Sequence, residues 1–308
     1  MKIRTALLAG AIVAAFMPAH AASATDNGPT PSDVVPINRT TGKQPDTRNR
    51  DTTVDAAHPT VVRDFAVHPA GQTYNYFEAQ FTIDQVNDSS HGTASINSFY
   101  IDGGSDYGGY IQLQTQLYQP NVGYVGKGVV FSLWKASNGT TSGCTQACTL
   151  VTGSEVGQPF VSIHMPYQWV IGHVYQVEVR RLPYTPDYII WQGFLYDLTT
   201  GTTTGLGQLY TSSTTGGGVG GFSNYAIQWL EEYYPSSYPS CSAIAVYRSS
   251  FWSSVWLATG PGANYAPTNS TPAVSHTEFG CSNSGYTAGA WPAGWPDPLY
   301  AMVIGATS

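Results

Sequence analysis

The side chains able to do hydrolytic chemistry in this chain are amides and carboxylates on short alternating stretches. Residues 110–118 read Tyr-Ile-Gln-Leu-Gln-Thr-Gln-Leu-Tyr. Successive side chains of a strand point to opposite faces. Alternation therefore puts Ile111, Leu113 and Leu117 on one side, and Tyr110, Gln112, Gln114, Gln116 and Tyr118 on the other. A ladder of amides bracketed by phenols suits a hydroxyl-rich or peptidic polymer better than a phosphate or an apolar core. Glu231 and Glu232 are neighbours in WLEEYY, so they face opposite sides of their strand and cannot form a dyad with each other. A carboxylate set beside rings in a cleft has its pKa raised by desolvation, as a general acid requires. Glu78 and Gln80 form the other clear polar face. Glycan hydrolysis needs two carboxylates, and Glu78 with Glu231 or Glu232 is the pair to test. Each has a plainer reading as a solvated strand face, or as an edge charge that opposes aggregation.

Other constellations are weaker. Asp102 and Asp106 bracket DGGSD, whose oxygens resemble a cation loop but whose commoner meaning is a tight hairpin. His164, His173 and His276 assemble into no Ser-His-Asp order and no metal-ligand spacing, and CxxxC without a second close pair is poor for zinc. No metal and no cofactor is expected. Among the eight tryptophans, Trp134 and Trp229 join Tyr110 and Gln112 as candidate substrate-binding residues. Trp252, Trp256, Trp291 and Trp295 sit in Pro-, Gly- and Ser-rich surroundings where a ring is easily presented to a sugar face.

The elements that must position these residues are strands. Phe77, Ala79, Phe81 and Ile83 alternate with polar neighbours, as do Tyr175, Val177 and Val179, which is the period of half-buried strands. Further strands are expected at 95–101, 128–134, 159–164, 188–196, 207–211, 225–233, 243–247 and 301–304. Turn signals stand at Asp102-Gly, Asn138-Gly, Thr200-Gly and 216–221. No amphipathic helical pattern competes. Many short strands need a second sheet to bury their apolar faces, so the chain is expected to be all-β, an antiparallel β-sandwich of jelly-roll or concanavalin-like type.

Residues 1–24 read as a secretory signal: Lys2 and Arg4 precede an apolar run too short to span a bilayer, and small residues follow. A secreted or periplasmic location is expected. Residues 25–62 lack the aromatic content to fold alone and read as a linker or pro-segment, leaving 63–308 as the β-sandwich domain. Four cysteines in an oxidising compartment predict two disulfides. The local choice is Cys144 with Cys148 and Cys241 with Cys281. A formal net charge of −7 makes nucleic acid and anionic lipid poor partners. A charge-poor, Tyr-, Trp- and Gly-rich body fits an extracellular polymer instead.

Two resemblances follow from the motifs. The order GGYIQLQ, GVVFSLW, QWVIGHVYQVEV, WQGFLYDLTTG and WLEEYYPSSYPSC, then Phe251-Trp252, resembles an uncharacterised family of secreted bacterial proteins, the domain-of-unknown-function family numbered thirty-four seventy-two. That resemblance implies a β-sandwich in a glycan context and supplies no catalytic residue. The chain is also similar to the glutamic peptidases, acid-active β-sandwich endopeptidases that use one Gln and one Glu. The similar pieces are Ile101-Asp102-Gly103, Leu113-Gln114-Thr115 and Trp229-Leu230-Glu231-Glu232. By that resemblance Gln114 would position water and stabilise the oxyanion, and Glu232 would be the general base. The chain departs from the family at Gln116, where the family has Gly, and at Gln228, where it has Glu. It also lacks the family's WYEW-type strand.

Three functions therefore stand open: a secreted hydrolase that binds and cleaves polysaccharide with carboxylate acid–base chemistry, a glutamic-type endopeptidase with Gln114 and Glu232, and a non-catalytic module that binds a glycan or a surface. All three take an extracellular polymer, polysaccharide or polypeptide, as partner.

Overall fold

The computed structural model describes residues 60–66, 74–86, 92–101, 107–155, 158–183, 185–213 and 221–234, with short strands between 247 and 304. For 60–66, much of 222–234 and the strands beyond 247, the backbone course alone is described. Cys241, Cys281, Asp102, Asp106 and residues 1–59 lie outside the described residues. So do the bridge, cation-loop and leader expectations placed on them.

Strands are numbered β1 to β20 in chain order. One eight-stranded antiparallel sheet runs, in spatial order, through β18 (Ala273–Glu278), β1 (Thr60–Ala66), β14 (Phe222–Tyr234), β3 (Gly92–Ile101), β4 (Gly108–Gln114), β7 (Gly128–Trp134), β10 (Gln158–Pro166) and β9 (Thr149–Glu155). A second sheet, of ten strands, runs through β19 (Gly289–Trp291), β20 (Leu299–Ile304), β15 (Tyr247–Phe251), β2 (Tyr76–Val86), β11 (Val174–Arg181), β12 (Tyr188–Asp197), β13 (Thr202–Ser212) and β8 (Asn138–Cys144). Beside β2 it adds β16 (Trp256–Ala258), which pairs with β17 (Ala266–Pro267). A small hairpin of β5 (Tyr118–Gln119) and β6 (Gly123–Tyr124) completes the set. The described part of the chain is all-β, and the two large sheets pack as a sandwich.

Alternation supplies the interior. Phe77, Ala79, Phe81 and Ile83 of β2 and Tyr175, Val177 and Val179 of β11 meet Ile111 and Leu113 of β4 and Val129, Phe131 and Leu133 of β7 in one buried core. Transfer of such side chains from water stabilises by about 1.5–3 kcal/mol each. The two sheets approach closely at Gly193, where an added Cβ would stand 2.8 Å from Cδ1 of Phe131.

Some expectations need correction. Asn138-Gly is the start of β8, not a turn. Its residues carry no apolar alternation, because the strand lies at the end of its sheet and pairs only with β13. The preceding turn is made by Lys135, at φ 54°. Strand β1 begins at Thr60 and pairs with β14, so the sheet takes in residues 60–62, which composition assigned to the leading segment. The amide ladder is also shorter than alternation implied. Strand β4 ends at Gln114, the chain bends at Thr115 and Gln116, and Leu117 packs over Gly128, where an added Cβ would meet it at 2.6 Å. Leu117 thus joins Tyr110 on the outer side of the sheet instead of Ile111 and Leu113 in the core. Thr200-Gly201, by contrast, is a turn as expected. Gly201 at φ 72° donates its N–H to the Asp197 carbonyl at 2.8 Å.

Candidate functional site

The outer side of the eight-stranded sheet carries a second apolar cluster: Ala94, Ile96, Tyr100, Tyr110, Leu117, Val130, Trp134, Val151 and Phe160. Polar side chains are set into it at fixed pleat positions. Pairing registers define the rows that cross the sheet. Glu231 pairs with Ala94, Ala94 with Gln114, and Gln114 with Gly128. In the next row Trp229 pairs with Ile96, Ile96 with Gln112, Gln112 with Val130, and Val130 with His164. In the third, Ser98, Tyr110, Ser132 and Ser162 follow one another.

Gln114 and Glu231 therefore occupy one row, separated by a single strand whose residue there is alanine. Adjacent strands lie about 4.8 Å apart, which sets the two backbones about 9.6 Å apart. Glu232 pairs with Thr93, one row away. The dyad of Gln114 with Glu232 implied by the resemblance is thus not a single pleat row, whereas Gln114 with Glu231 is. A one-residue offset in a strand exchanges its faces, and a short motif match does not resolve such an offset.

Gln114 is held from behind. The Trp169 indole N–H donates to the Gln114 carbonyl oxygen at 2.9 Å, and Lys127 donates to the Trp169 carbonyl at 2.9 Å with its ammonium 4.0 Å from the indole ring. Burial lowers the Lys127 pKa. Trp169 is 1 % exposed, so the end of β4 is anchored in the core just where Gln114 leaves it.

Gln112 differs from Ser98, Ser132, Ser162 and His164 on this face. Ser98 donates to the Gly109 carbonyl at 2.9 Å, Ser162 donates to Ser132 at 2.6 Å, and His164 Nδ1 meets the Tyr118 carbonyl at 2.6 Å. Since a carbonyl only accepts, Nδ1 carries the hydrogen, and burial holds the His164 pKa below its usual value. Gln112 is fully buried, and neither its Oε1 nor its Nε2 has a hydrogen-bond partner. Tyr110 and Trp134 lie beside each other, ring centroids 5.9 Å apart, with Tyr100 6.0 Å from Trp134. Of the expected substrate-binding residues, Tyr110, Gln112 and Trp134 share the side of Gln114, and Trp229 stands in the row of Gln112.

Gln228 lies away from this set. It is fully buried and donates to Asn97 at 2.8 Å, in the alternation of Ala226 and Leu230, which belong to the interior.

Glu78 stands on the other sheet. Its neighbours Phe77 and Ala79 face the core, so Glu78 faces outward from the ten-stranded sheet. It accepts from Gln176 at 3.2 Å, Gln176 accepts from Gln80 at 2.8 Å, and Glu78 pairs in register with Glu178, which binds Arg180. Arg180 also donates to the Tyr196 hydroxyl at 2.9 Å and lies 4.5 Å over the Phe194 ring. Burial first, then the Glu178 charge, pushes the Tyr196 phenol up to about 12. The structure does not bring Glu78 together with Glu231 or Glu232, because β2 and β14 belong to different sheets. Sequence alone carries strand faces but not strand order, so this separation was not readable from it. Among the described residues no group of three or more His, Cys, Asp or Glu is placed to hold a metal. Cys144 and Cys148 form the expected local disulfide.

No family model matches the chain, so the resemblance to the uncharacterised secreted family is not supported, and no curated protein matches. Solved structures do. A crystal structure of Scytalido-glutamic peptidase with a peptide-based transition state analog is similar over 82 % of this chain and 100 % of that chain, with 9 % identity and a TM-score of 0.41. A second, with a transition state analog inhibitor, is similar over 83 % of this chain and 100 % of that one, with 9 % identity and a TM-score of 0.38. These neighbours come from the same family as the second sequence resemblance. Likenesses at this level transfer no residue role.

Proposed function

We propose that the chain is a secreted, glutamic-type acid endopeptidase whose reacting pair is Gln114 and Glu231. The observation that carries this reading is the shared pleat row, Glu231–Ala94–Gln114, on one side of the eight-stranded sheet. In the proposed reaction a water molecule lies between the two side chains. The Glu231 carboxylate takes a proton from the water as its oxygen bonds to the scissile carbonyl carbon. The Gln114 amide N–H donates to the carbonyl oxygen as negative charge collects there. The tetrahedral species collapses when the proton on Glu231 passes to the leaving nitrogen, which breaks the C–N bond and restores the carboxylate. A neutral amide is suited to the oxyanion role, because it donates at every pH at which the glutamate titrates. The peptidase reading is preferred to polysaccharide cleavage because Glu78, the second carboxylate that chemistry would use, belongs to the other sheet.

The test is release of peptides from casein at acid pH by the purified chain and by Gln114→Ala, Glu231→Gln and Glu232→Gln. Activity should fall at least about a hundredfold in the first two and persist in the third. Loss in Glu232→Gln with retention in Glu231→Gln would overturn the assignment. Absence of cleavage by the parent chain would overturn the function.

A further inference from the structure

We propose that Gln112 is a clamp for the substrate backbone, using its carboxamide to hold one residue of an extended peptide a dipeptide away from the scissile bond. The inference rests on the peptidase reading above for the position of the scissile bond, and on Gln112 itself for the rest.

A buried carboxamide with both polar atoms unpaired is a costly feature in a folded chain. Among the described side chains of its face, Gln112 finds no hydrogen-bond partner. The residues paired with it are Ile96 and Val130, which offer no polar side chain. Ser98 is bonded to Gly109, Ser132 and Ser162 to each other, and His164 Nδ1 to Tyr118. By contrast, Asn97 and Gln228, the other buried amides with an unpaired atom, at least bond to each other. Gln112 presents one donor side and one acceptor side with no intramolecular use for either.

The complement of a carboxamide is a group offering one N–H and one C=O side by side. In an extended peptide the N–H and C=O of a single residue point the same way, so one residue can exchange two hydrogen bonds with one Gln side chain. The spacing agrees. Gln112 and Gln114 are two residues apart on β4, about 6.7 Å, which is also the two-residue repeat of an extended substrate. A peptide lying along β4 with its scissile carbonyl at Gln114 would place the equivalent edge of a residue two positions away over Gln112. Tyr110, the next residue of this face, then lies one further repeat along. Because Gln112 is fully buried, the incoming backbone must displace what closes the face.

The test uses the full chain, Gln112→Met and oxidised insulin B chain. Methionine is unbranched and of similar length, and it asks for no hydrogen bond. The melting temperature of Gln112→Met should rise, since an unpaired buried amide is removed, while KM for the insulin chain rises at least about tenfold. A synthetic peptide cut by the parent is then made with an ester in place of the amide two residues from the scissile bond, on each side in turn. One ester should weaken the parent about tenfold and leave Gln112→Met unaffected, a coupling that a merely structural role would not produce. Equal KM values, equal ester sensitivity or a lowered melting temperature would each overturn the clamp while leaving the peptidase intact. If the parent cleaves nothing, the peptidase reading fails, and binding of insulin B chain to the parent and to Gln112→Met decides the clamp separately. Weaker binding by the variant supports it, and equal or absent binding overturns it.

Discussion

Replacing Ala94 with leucine should leave the chain folded and remove the proposed peptidase activity. Ala94 stands between Gln114 and Glu231 in their shared row and is fully buried. Two strand spacings separate the flanking backbones by about 9.6 Å. A line of contacts from amide to carbonyl oxygen, and from water to carboxylate, needs about 2.7–3.2 Å for each contact. Alanine raises one carbon above the pleat at this point, and leucine raises four, where the proposed reaction would place its water and carbonyl. Adding carbons at a buried position costs about 1–3 kcal/mol of stability, against about 5–15 kcal/mol for a typical domain, so the variant stays folded. If the reacting groups can no longer be bridged, kcat/KM falls more than about a hundredfold, or about 2.7 kcal/mol of barrier. Ala94→Gly is the control: it costs about 0.5–1 kcal/mol, keeps the gap and should hold kcat/KM within a few-fold. Cleavage of labelled casein at acid pH, alongside melting temperature and far-UV circular dichroism, reads both quantities. A folded Ala94→Leu chain with parental kcat/KM would show that the reaction does not pass through this row.

Acid should destabilise the sandwich through two identified groups. Burial holds the His164 pKa below its usual 6.5, so the unfolded chain takes up the proton first. The His164 contribution is complete above that value and is lost as pH falls below it. Burial also raises the Asp197 carboxyl, but hydrogen bonds from His173 and Thr200 outweigh it and leave the pKa lowered. Its contribution is present above the ordinary aspartate value and lost as pH falls through the folded one. His164→Asn and Asp197→Asn should each flatten the plot of melting temperature against pH on the acid side, and parallel plots would contradict this. Gly193→Ala should cost about 1–3 kcal/mol in denaturant melts, because its methyl meets the Phe131 ring at 2.8 Å; an unchanged midpoint would show that the ring yields freely. Replacing both Cys144 and Cys148 with serine should cost about 2 kcal/mol, the loop-closure term for so short a ring, with activity retained; a loss of folding would show that the bridge does more than close its loop.

Much of the fold was legible because side-chain alternation is a local property. Phe77 to Ile83 and Tyr175 to Val179 declare their buried faces in sequence, as any strand must whose neighbouring residues point opposite ways. The Thr200-Gly201 turn was legible for the same reason, since a positive φ favours glycine wherever it occurs. Strand β8 was hidden: Asn138 to Cys144 carry no apolar period, and the segment is a strand only because β13 offers its edge. The site was half legible. Residue types in β4 and β14 named Gln112, Gln114, Glu231 and Glu232 as candidates. Which glutamate shares a row with Gln114 depends on how β14 pairs with β3 and β3 with β4, and the first of those pairings joins segments more than a hundred residues apart. Glu78 carries the same chemistry as Glu231, and only the assignment of β2 to the second sheet separates them. Composition and alternation thus determined a β-sandwich with amide and carboxylate faces. Tertiary structure decided which of those groups share a pleat row, because strand order and register come from pairing energies between distant segments that no local window contains.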